Sequence, residues 1–525
     1  MATLYRNGRI YSSGSPDPSA MVVDDGIITW IGQEDGIGQH AGVEEVDLAD
    51  AFVTPAFVDA HVHATGTGIA LAGLELGEAR SLAEALELLD RAARASRGRP
   101  ILGGGWDETR WPEQRPPTAA ELDRASYGGS VYLARVDAHS AVVSSSLAAV
   151  VPGLAAMPGN RGQGWVTGAA HDAVRTAALG ALTPGQTRDL QLIALQASAA
   201  QGIACVHEMA GPAISSEADL LGLFELARTE AVPEVIGYWG ELHGIETARR
   251  LGAVGAAGDL FCDGSLGSHT AALHHPYADE PDHSGALRFE TTELAEHIRA
   301  CIDAGLQAGF HAIGDAAIDQ ILDALDLVSA ALGRPAGAGQ RLEHAELVSD
   351  PARLAASGLL ASMQPAFDAA WGGPGGMYAD RLGAERAAGM NRFAELAAAG
   401  VPLAFGSDSP VTPLDPWGAV RAAAYPHEPG AAISVRAAFA AHTRAGWRAG
   451  RRDNEGVLAP GLPATFAVWR AGGLGIDAPD ERVARWSTDP RANIPGLPDV
   501  SPGTPLPTCM RTVLRGRTIY DIAAD

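Results

Sequence analysis

Eight short apolar runs, separated by segments of helical spacing, are the feature that most constrains the fold of this 525-residue chain. Strand-like runs cover residues 53–59, 203–208, 235–239, 260–263, 306–311, 341–344, 359–364 and 401–408. The helical pattern occurs at 81–95, 184–200, 217–228, 292–304, 315–332 and 434–448. Strands that alternate with helices form parallel sheets, so this chain is predicted to be an α/β protein with a closed (β/α)8 barrel of the TIM type.

The two chain ends and the first long gap depart from this pattern. Residues 3–50 contain short apolar runs broken by turn sequences such as Asn7-Gly8, Ser13-Gly14 and Asp25-Gly26, and similar runs occur at 465–469 and 510–520. These features are typical of hairpins, and they predict one small β-sandwich domain made from residues 1–53 and 456–525. The barrel would then occupy residues 54–455. Since barrel loops usually have ~2–6 residues, the gap after the first strand predicts an inserted subdomain at about 66–200.

The composition narrows the classes of partner. A formal net charge of −25 repels phosphate backbones, which argues against nucleic-acid binding. The sequence contains no apolar run of ~18 residues, which argues against a membrane role. Residues 1–14 lack the basic and apolar segments of a secretory signal, and the four cysteines are far apart, which favours reduced thiols in the cytoplasm. We therefore expect a cytoplasmic protein that acts on a small molecule; a homodimer is one oligomeric state that the sequence leaves open.

The chain contains no lysine, so all 38 residues counted as Lys+Arg are arginine. A lysine Schiff base, the lysine of a phosphate-binding loop and a carboxylated lysine are all excluded. This absence becomes important at the fourth strand.

Five potential metal ligands lie at the ends of predicted barrel strands. His61 and His63 end the first strand, and residues i and i+2 of a strand point the same way. His311, His344 and Asp408 end the fifth, sixth and eighth strands. The carboxyl ends of barrel strands meet at one face, where catalytic residues lie. Imidazoles with a carboxylate and an open position predict a catalytic site for a divalent metal, most simply zinc.

At this point the sequence resembles the amidohydrolase superfamily, and within it the amidohydrolase family 3 branch of YtcJ-like and N-substituted formamide deformylase-like proteins. The resemblance runs nearly end to end. It is carried by the segments 55–63, 105–107, 137–139, 263–268, 311–315, 343–345, 406–410 and 461–466. It implies a metal-dependent hydrolase but does not specify a substrate.

The fourth strand departs from the family pattern. Members of the family commonly have a lysine there that, once carboxylated, bridges two metal ions, and in this chain Asp259 occupies the matching position. Asp263 lies on the same strand face by alternation and is the rival ligand, but it can instead brace the loop through hydrogen bonds. Since the side chain of Asp259 is short and barrel strands resist displacement, we predict one tightly held ion on His61, His63, His311 and Asp408. Asp259 and His344 are nonetheless counted among the candidate metal ligands, and a second, weaker ion on these two residues is the alternative.

The resemblance also implies roles for other residues. Asp408 would act as the general base and acid, and His344 would stabilise an oxyanion if only one ion is present. The expected reaction is cleavage of a C–N bond in an amide, formamide or cyclic amide by metal-activated water. The residues expected to bind the substrate or cover the site are Trp106, His139, Asp263, Ser265, His269 and Gln364.

Three other functions remain open. An esterase or lactonase would use the same residues. A deaminase of this superfamily usually has a glutamate three residues after the fifth-strand histidine, where this chain has Gly314. A non-catalytic metal-binding protein is disfavoured because a purely structural zinc site is closed and needs no proton shuttle such as Asp408.

Overall fold

The structure, a computed structural model, describes residues 2–12, 17–36, 44–96, 98–475 and 496–523. The predicted Ser13-Gly14 turn therefore lies outside the described residues. Within these ranges, no helix combines the length and the apolar character needed to span a bilayer.

The chain begins with short strands that enter two different sheets. Their bounds are β1 (Thr3–Arg6), β2 (Arg9–Ile10), β3 (Ala20–Asp24), β4 (Ile27–Gly32), β5 (Glu44–Asp47) and β6 (Phe52–Pro55). One sheet has the order β4-β3-β1-β5, whereas β2 and β6 pair side by side in the other.

The barrel begins with β7 (Phe57–Val62) and is then interrupted by a separate layer of structure. This insertion contains a six-stranded sheet in the order β12-β13-β11-β10-β9-β8 with helices packed against it. Its elements are α1 (Ala64–Ala72), β8 (Leu74–Glu75), α2 (Leu82–Ser96), β9 (Ile101–Trp106), α3 (Ala119–Ala125), β10 (Val131–Arg135), β11 (Ser140–Val143), α4 (Ser145–Ala148), β12 (Asn160–Gly162), β13 (Trp165–Thr167) and α5 (Gly168–Gly180).

The barrel resumes after α6 (Pro184–Ala200). Its further strands are β14 (Ile203–Ala210), β15 (Glu234–Trp239), β16 (Gly255–Ala256), β17 (Gln307–Ala312), β18 (Arg341–His344), β19 (Leu360–Met363) and β20 (Leu403–Phe405). The helices between and after them are α7 (Glu217–Thr229), α8 (Ile245–Leu251), α9 (Thr291–Ala304), α10 (Asp315–Leu332), α11 (Pro351–Ser357), α12 (Pro365–Trp371), α13 (Met377–Leu382), α14 (Ala384–Ala387), α15 (Phe393–Ala399), α16 (Pro416–Ala424), α17 (Val435–Ala441) and α18 (Arg444–Ala449).

The eight parallel strands run in sequence order from β7 through β14 to β20. The barrel closes where a parallel bridge joins Val62 to Ser409, beyond the end of β20. Around this bridge, the amide of Asp408 donates to the carbonyl of His61 at 2.8 Å, and the amide of His63 donates to the carbonyl of Ser409 at 2.9 Å. The predicted (β/α)8 fold is confirmed, and the closure itself brings Asp408 beside the two histidines.

The far end of the chain returns to the N-terminal strands. It contains β21 (Phe466–Arg470), β22 (Leu474–Gly475), β23 (Leu497–Pro498), β24 (Thr508–Leu514) and β25 (Arg517–Asp521), and β21 pairs antiparallel with β6. The resulting sheet has the order β2-β6-β21-β24-β25 and packs on the first sheet through an apolar core that includes Tyr5, Met21 and Phe466.

Several predicted elements differ in extent from the observed ones. The apolar run 53–59 contains two strands, since β6 joins the terminal sheet and β7 joins the barrel; both are buried, so the run gives no sign of the change. The helix expected at 434–448 is two helices, α17 and α18. The eighth strand is shorter than 401–408.

The fourth strand shows the largest difference. The expected strand at 260–263 is irregular apart from one bridge between Phe261 and His311, and the regular pairing of β16 lies earlier, at Gly255–Ala256. Gly258, with φ of 91°, ends that pairing in a backbone conformation that other residues rarely adopt. The regular pairing of the fourth strand therefore ends before Asp259, and the chain pairs with β17 again around Phe261.

Candidate metal centre

Six side chains from four barrel strands and the fourth-strand turn converge at the carboxyl end of the barrel. They are His61, His63, Asp259, His311, His344 and Asp408. Asp259 is central, because its Oδ1 lies 3.4 Å from His61 Nε2, 3.4 Å from His311 Nδ1 and 3.7 Å from His344 Nε2. Its other oxygen, Oδ2, lies 3.1 Å from His63 Nε2. The two oxygens of one carboxylate thus face different histidines.

Each of the four histidines has its outer ring nitrogen within hydrogen-bond distance of an acceptor oxygen. The acceptors are Glu343 Oε2 for His61 (3.0 Å), the Met209 carbonyl for His63 (3.2 Å), the Gly264 carbonyl for His311 (3.1 Å) and Gln364 Oε1 for His344 (2.8 Å). The outer nitrogens must therefore carry the protons. All four inner nitrogens face the centre and would present lone pairs to a bound metal ion, which is the arrangement that outer acceptors impose on metal-ligating histidines.

The inner atoms fit a bound cation. His61 Nε2, Asp259 Oδ1, His311 Nδ1 and Asp408 Oδ1 are buried and have no hydrogen-bond partner among the described residues. Buried polar atoms are seldom left in this state unless an ion or water satisfies them. Imidazole nitrogens and carboxylate oxygens are the ligands of zinc and related divalent ions, so the donor set and the burial agree with a metal centre.

The electrostatics of the cluster also favour positive charge. Burial by itself lowers the pKa values of His61 and His63, but their contacts with Asp259 and Asp408 outweigh it. The pKa of His61 is raised well above its usual range, and that of His63 is raised to about 9. Two carboxylates among these imidazoles thus attract a cation, whether a proton or a metal ion.

A buried ion pair beneath the cluster was missed by the sequence analysis. Glu343, which accepts from His61, is bonded on its other side by the guanidinium of Arg341, and both residues are fully buried. Burial raises the pKa of Glu343, but the charge of Arg341 and the hydrogen bond from His61 outweigh it and lower the pKa to about 2. The alternation of Arg341 and Glu343 along β18 was the available signal, since residues i and i+2 of a barrel strand both point inward.

Asp259 lies in the cluster without the displacement of a regular barrel strand that the sequence analysis considered unfavourable. Its backbone turns inward after Gly258, where the carbonyl of Gly258 accepts from the amide of Leu260 at 2.8 Å. Glycine at position 240 leaves room for this turn, because a Cβ there would lie 2.8 Å from the carbonyl of Asp259. The short side chain of Asp259 reaches the histidines because the backbone turn brings its Cα close to them.

The cluster lies at the end of a large cavity between the barrel mouth and the inserted sheet. His63, Asp259, His311, His344 and Asp408 form its barrel end. The insertion supplies the opposite wall through α1, β9, β10 and α5. A substrate in this cavity would be held between the two parts of the chain.

The sequence profile of the amidohydrolase family matches residues 44–520. The chain belongs to the amidohydrolase family. With that match, the resemblance seen in the motifs is confirmed.

Relatives of this chain align with it over most of their length. Protein LONG AFTER FAR-RED 3 of Arabidopsis thaliana is 29% identical, over 89% of this chain and 86% of the relative. Putative amidohydrolase YtcJ of Bacillus subtilis is 26% identical, over 79% of this chain and 82% of the relative. Among solved structures, an uncharacterized metal-dependent hydrolase from Pyrococcus furiosus is 30% identical with a TM-score of 0.70, covering 89% of this chain and 98% of the other. This amidohydrolase is therefore a hydrolase of the metal-dependent type.

The amidohydrolase cavity takes in His139, one of the residues expected to bind the substrate. The centroid of its ring lies 5.1 Å from the ring centroid of His311 and 5.6 Å from the ring centroid of Phe261. Ser265 lies at the edge of a smaller adjoining cavity and donates to Asp137 Oδ2 at 2.9 Å. The smaller cavity is also lined by His344 and Asp408, so both expected residues line cavities that reach the cluster.

The other four expected residues have different surroundings. Trp106 is buried in the core of the insertion, where its Nε1 donates to the Leu133 carbonyl at 2.8 Å. Asp263 accepts from the backbone amides of Ala272, Ile313 and Gly314, so it braces a loop, and its Oδ1 lies 3.8 Å from His311 Nε2 on the outer side of that ring. Gln364 contacts His344, as described above. His269 lies in a surface loop, where its Nε2 is 3.0 Å from Asp279 Oδ2.

Proposed function

We propose that this amidohydrolase cleaves a C–N bond in a small amide, formamide or cyclic amide. The observation that supports the proposal most strongly is the set of four histidines whose outer nitrogens each meet an acceptor oxygen, while their inner nitrogens face two carboxylates at the end of a cavity. Such a site is built before any substrate arrives, as catalysis by a preorganised centre requires.

The proposed ligands are His61, His63, His311 and His344 with Asp408 and Asp259, and the proposed metal is zinc. When bound, a divalent ion of this kind supplies a Lewis acid for the substrate carbonyl and lowers the pKa of water to ~7.

Asp408 is the proposed proton carrier. Its carboxylate lines the cavity, and its Oδ1 lies 3.1 Å from His63 Nε2. The hydrogen bond from its amide to the His61 carbonyl holds the residue at the barrel seam. Since an amide nitrogen leaves readily only once it is protonated, a carboxylate that takes a proton from water and returns it to nitrogen accounts for C–N cleavage.

His139 is proposed to orient the substrate carbonyl. Its ring nitrogens form no hydrogen bond with any described residue, and the ring faces the cavity beside His311. An imidazole in that position can donate a hydrogen bond to a substrate oxygen.

A substrate screen tests the proposal. The metal-loaded protein is incubated with matched sets of N-acyl amides, formamides, lactams, esters, lactones and aminopurines, before and after removal of the metal with a chelator. We expect turnover of at least one amide class that is lost with the metal and restored by zinc. Turnover of esters and lactones alone would favour the esterase alternative, and release of ammonia from aminopurines would favour the deaminase.

A further inference from the structure

One arginine in the cavity wall lies close to the candidate metal centre. The guanidinium carbon of Arg288 is 5.1 Å from the centre of the Phe261 ring, and that ring is 4.8 Å from the ring of His311. The side chain of Arg288 is 29% exposed and lines the cavity. A cationic group is thus held one aromatic ring away from the proposed ligands.

The donors of Arg288 are unused by the protein. Among the described residues, its side chain forms no hydrogen bond, and its one close charged contact is Asp172 Oδ2 at 3.5 Å. Arg135, in the same cavity wall, has carboxylates of Asp107, Glu108 and Asp137 at 3.2, 2.9 and 3.1 Å. A guanidinium has five N–H donors in a planar fork, so Arg288 keeps most of its donors for a ligand while Nη1 faces Asp172.

The charge around Arg288 is also incomplete. Asp172 is shared with Arg175, whose Nη2 lies 3.2 Å from Asp172 Oδ1, so two guanidiniums have one carboxylate between them. Arg175 Nε is buried without a hydrogen-bond partner among the described residues, and Arg175 lines the same cavity. The neighbouring His171 adds no negative charge and is bonded to Tyr132 at 2.9 Å.

We propose that Arg288, assisted by Arg175, binds a carboxylate on the substrate. This inference rests on the proposed C–N hydrolase function and adds that the scissile amide belongs to a molecule bearing a carboxylate. The planar fork of a guanidinium matches a carboxylate with two parallel hydrogen bonds. In a chain with a net charge of −25, an anionic substrate needs a local cationic site such as this one.

The experiment compares binding of acids with binding of their neutral counterparts. The metal-loaded wild type, Arg288→Gln and Arg288→Lys are titrated calorimetrically with N-formyl-, N-acetyl- and N-benzoylglycine and with the three matching glycinamides. Arg299→Gln is the matched control, because Arg299 is an arginine on the exposed side of α9 that pairs with Asp303. Thermal unfolding of each variant verifies that the fold is kept.

We expect the wild type and Arg299→Gln to bind at least one acid more tightly than its amide, and Arg288→Gln to lose about 10–100-fold of that preference. Arg288→Lys should recover only part of it, because an ammonium cannot make the paired contact. Equal binding of acid and amide by the wild type, no binding of either, or a preference that survives in Arg288→Gln would overturn the inference. Failure of the proposed function is seen separately, as binding without hydrolysis in the substrate screen.

Discussion

At the residue scale, the four histidines of the centre are oriented in the same way. A hydrogen-bond acceptor beside the outer ring nitrogen determines where the inner ring nitrogen points. The acceptors differ, however, since one is a carboxylate, one an amide side chain and two are backbone carbonyls. The two backbone acceptors, the carbonyls of Met209 and Gly264, are positioned by the path of the main chain and cannot be removed by substituting a side chain. Glu343 and Gln364 are side chains and can be tested by substitution.

Gln364 gives the simplest test of this orientation. Gln364→Met keeps the approximate size of the side chain and removes the acceptor for His344 Nδ1. Loss of such a partner typically weakens metal binding by ~10–100-fold. The zinc dissociation constant, measured by competition with a chelating dye, should rise by this amount. Gln320→Met is the control, because Gln320 is a buried glutamine of α10 that donates to the Phe289 carbonyl outside the centre; an equal effect in both variants would contradict the assigned role.

Asp408 is the residue on which the proposed chemistry depends most. Asp408→Asn keeps the shape of the side chain and removes its ability to carry a proton. Loss of a general acid–base typically lowers the rate by ~10²–10⁴, so kcat/KM should fall by that factor on any amide that the wild type cleaves. Metal content is measured on the same samples. An Asp408→Asn protein that retains its metal and cleaves within about threefold of the wild type would show that Asp408 is not the proton carrier.

At the element scale, the fourth strand determines whether the centre is complete. β16 has only two residues, and the chain then turns inward at Gly258 to deliver Asp259. Sequence analysis identified Asp259 by its alignment with the family's lysine but expected a regular strand there. The pattern of apolar residues cannot reveal such a turn, because it records which residues are buried and not the path of the backbone.

Gly258→Ala tests the importance of this turn. A Cβ at position 258, with φ of 91°, would lie 2.7 Å from Met209 Sδ. Backbone strain of this kind costs ~1–3 kcal/mol, and relief of the strain would move Asp259 away from the histidines. Gly305→Ala is the matched control, since Gly305 has φ of 72° at the end of α9 and open space around it. Both variants should lose stability in denaturant titrations, but zinc affinity should fall in Gly258→Ala alone.

β16 is also held from outside by a buried histidine of α9. His297 Nε2 donates to the Ala256 carbonyl at 2.9 Å, and its Nδ1 accepts from the His243 amide at 2.9 Å. Burial lowers the pKa of His297 to about 4. The folded protein therefore keeps this histidine neutral at pH values where the unfolded chain, with a pKa of ~6.5, is already protonated.

This difference predicts a pH dependence of stability. Because the unfolded state binds the proton first, the free energy of unfolding should fall as the pH is lowered from about 6.5 to about 4, by up to ~3 kcal/mol for this group. His297→Gln keeps a donor for Ala256 and does not titrate. Denaturant titrations between pH 4 and 7 should show a shallower decline for His297→Gln than for the wild type, and parallel curves would contradict the assignment.

At the scale of the whole molecule, the chain ends, the insertion and the barrel follow from different sequence signals. The barrel was predictable because strand and helix periods alternate clearly and because strand ends converge. The site ligands His61, His63, His311, His344 and Asp408 were predictable for the same reason, and the structure brings all of them together. Arg288, Arg341 and Glu343 were missed, since their importance arises from contacts between distant segments.

The domain division predicted from the sequence remains a proposal. We propose that residues 1–53 and 456–525 form one composite domain around the barrel, supported by the pairing of β6 with β21 and by the edge contact between the rings of Tyr5 and Phe466 at 5.1 Å. Residues 13–16, 37–43 and 476–495 of this domain lie outside the described ranges. The cytoplasmic location and the oligomeric state also remain predictions.

The central claim is that Asp259, which occupies the position of the family's lysine, binds metal together with the surrounding histidines. The most direct test is the metal content and zinc affinity of the wild type, Asp259→Asn and Asp219→Asn, purified without chelator and analysed by mass spectrometry of the metal. Asp219 is the control, because it is a buried carboxylate that accepts from Thr65 at 2.8 Å outside the cluster. The account predicts that Asp259→Asn alone loses an equivalent of metal or binds zinc at least about tenfold more weakly. Unchanged content and affinity in Asp259→Asn would contradict it.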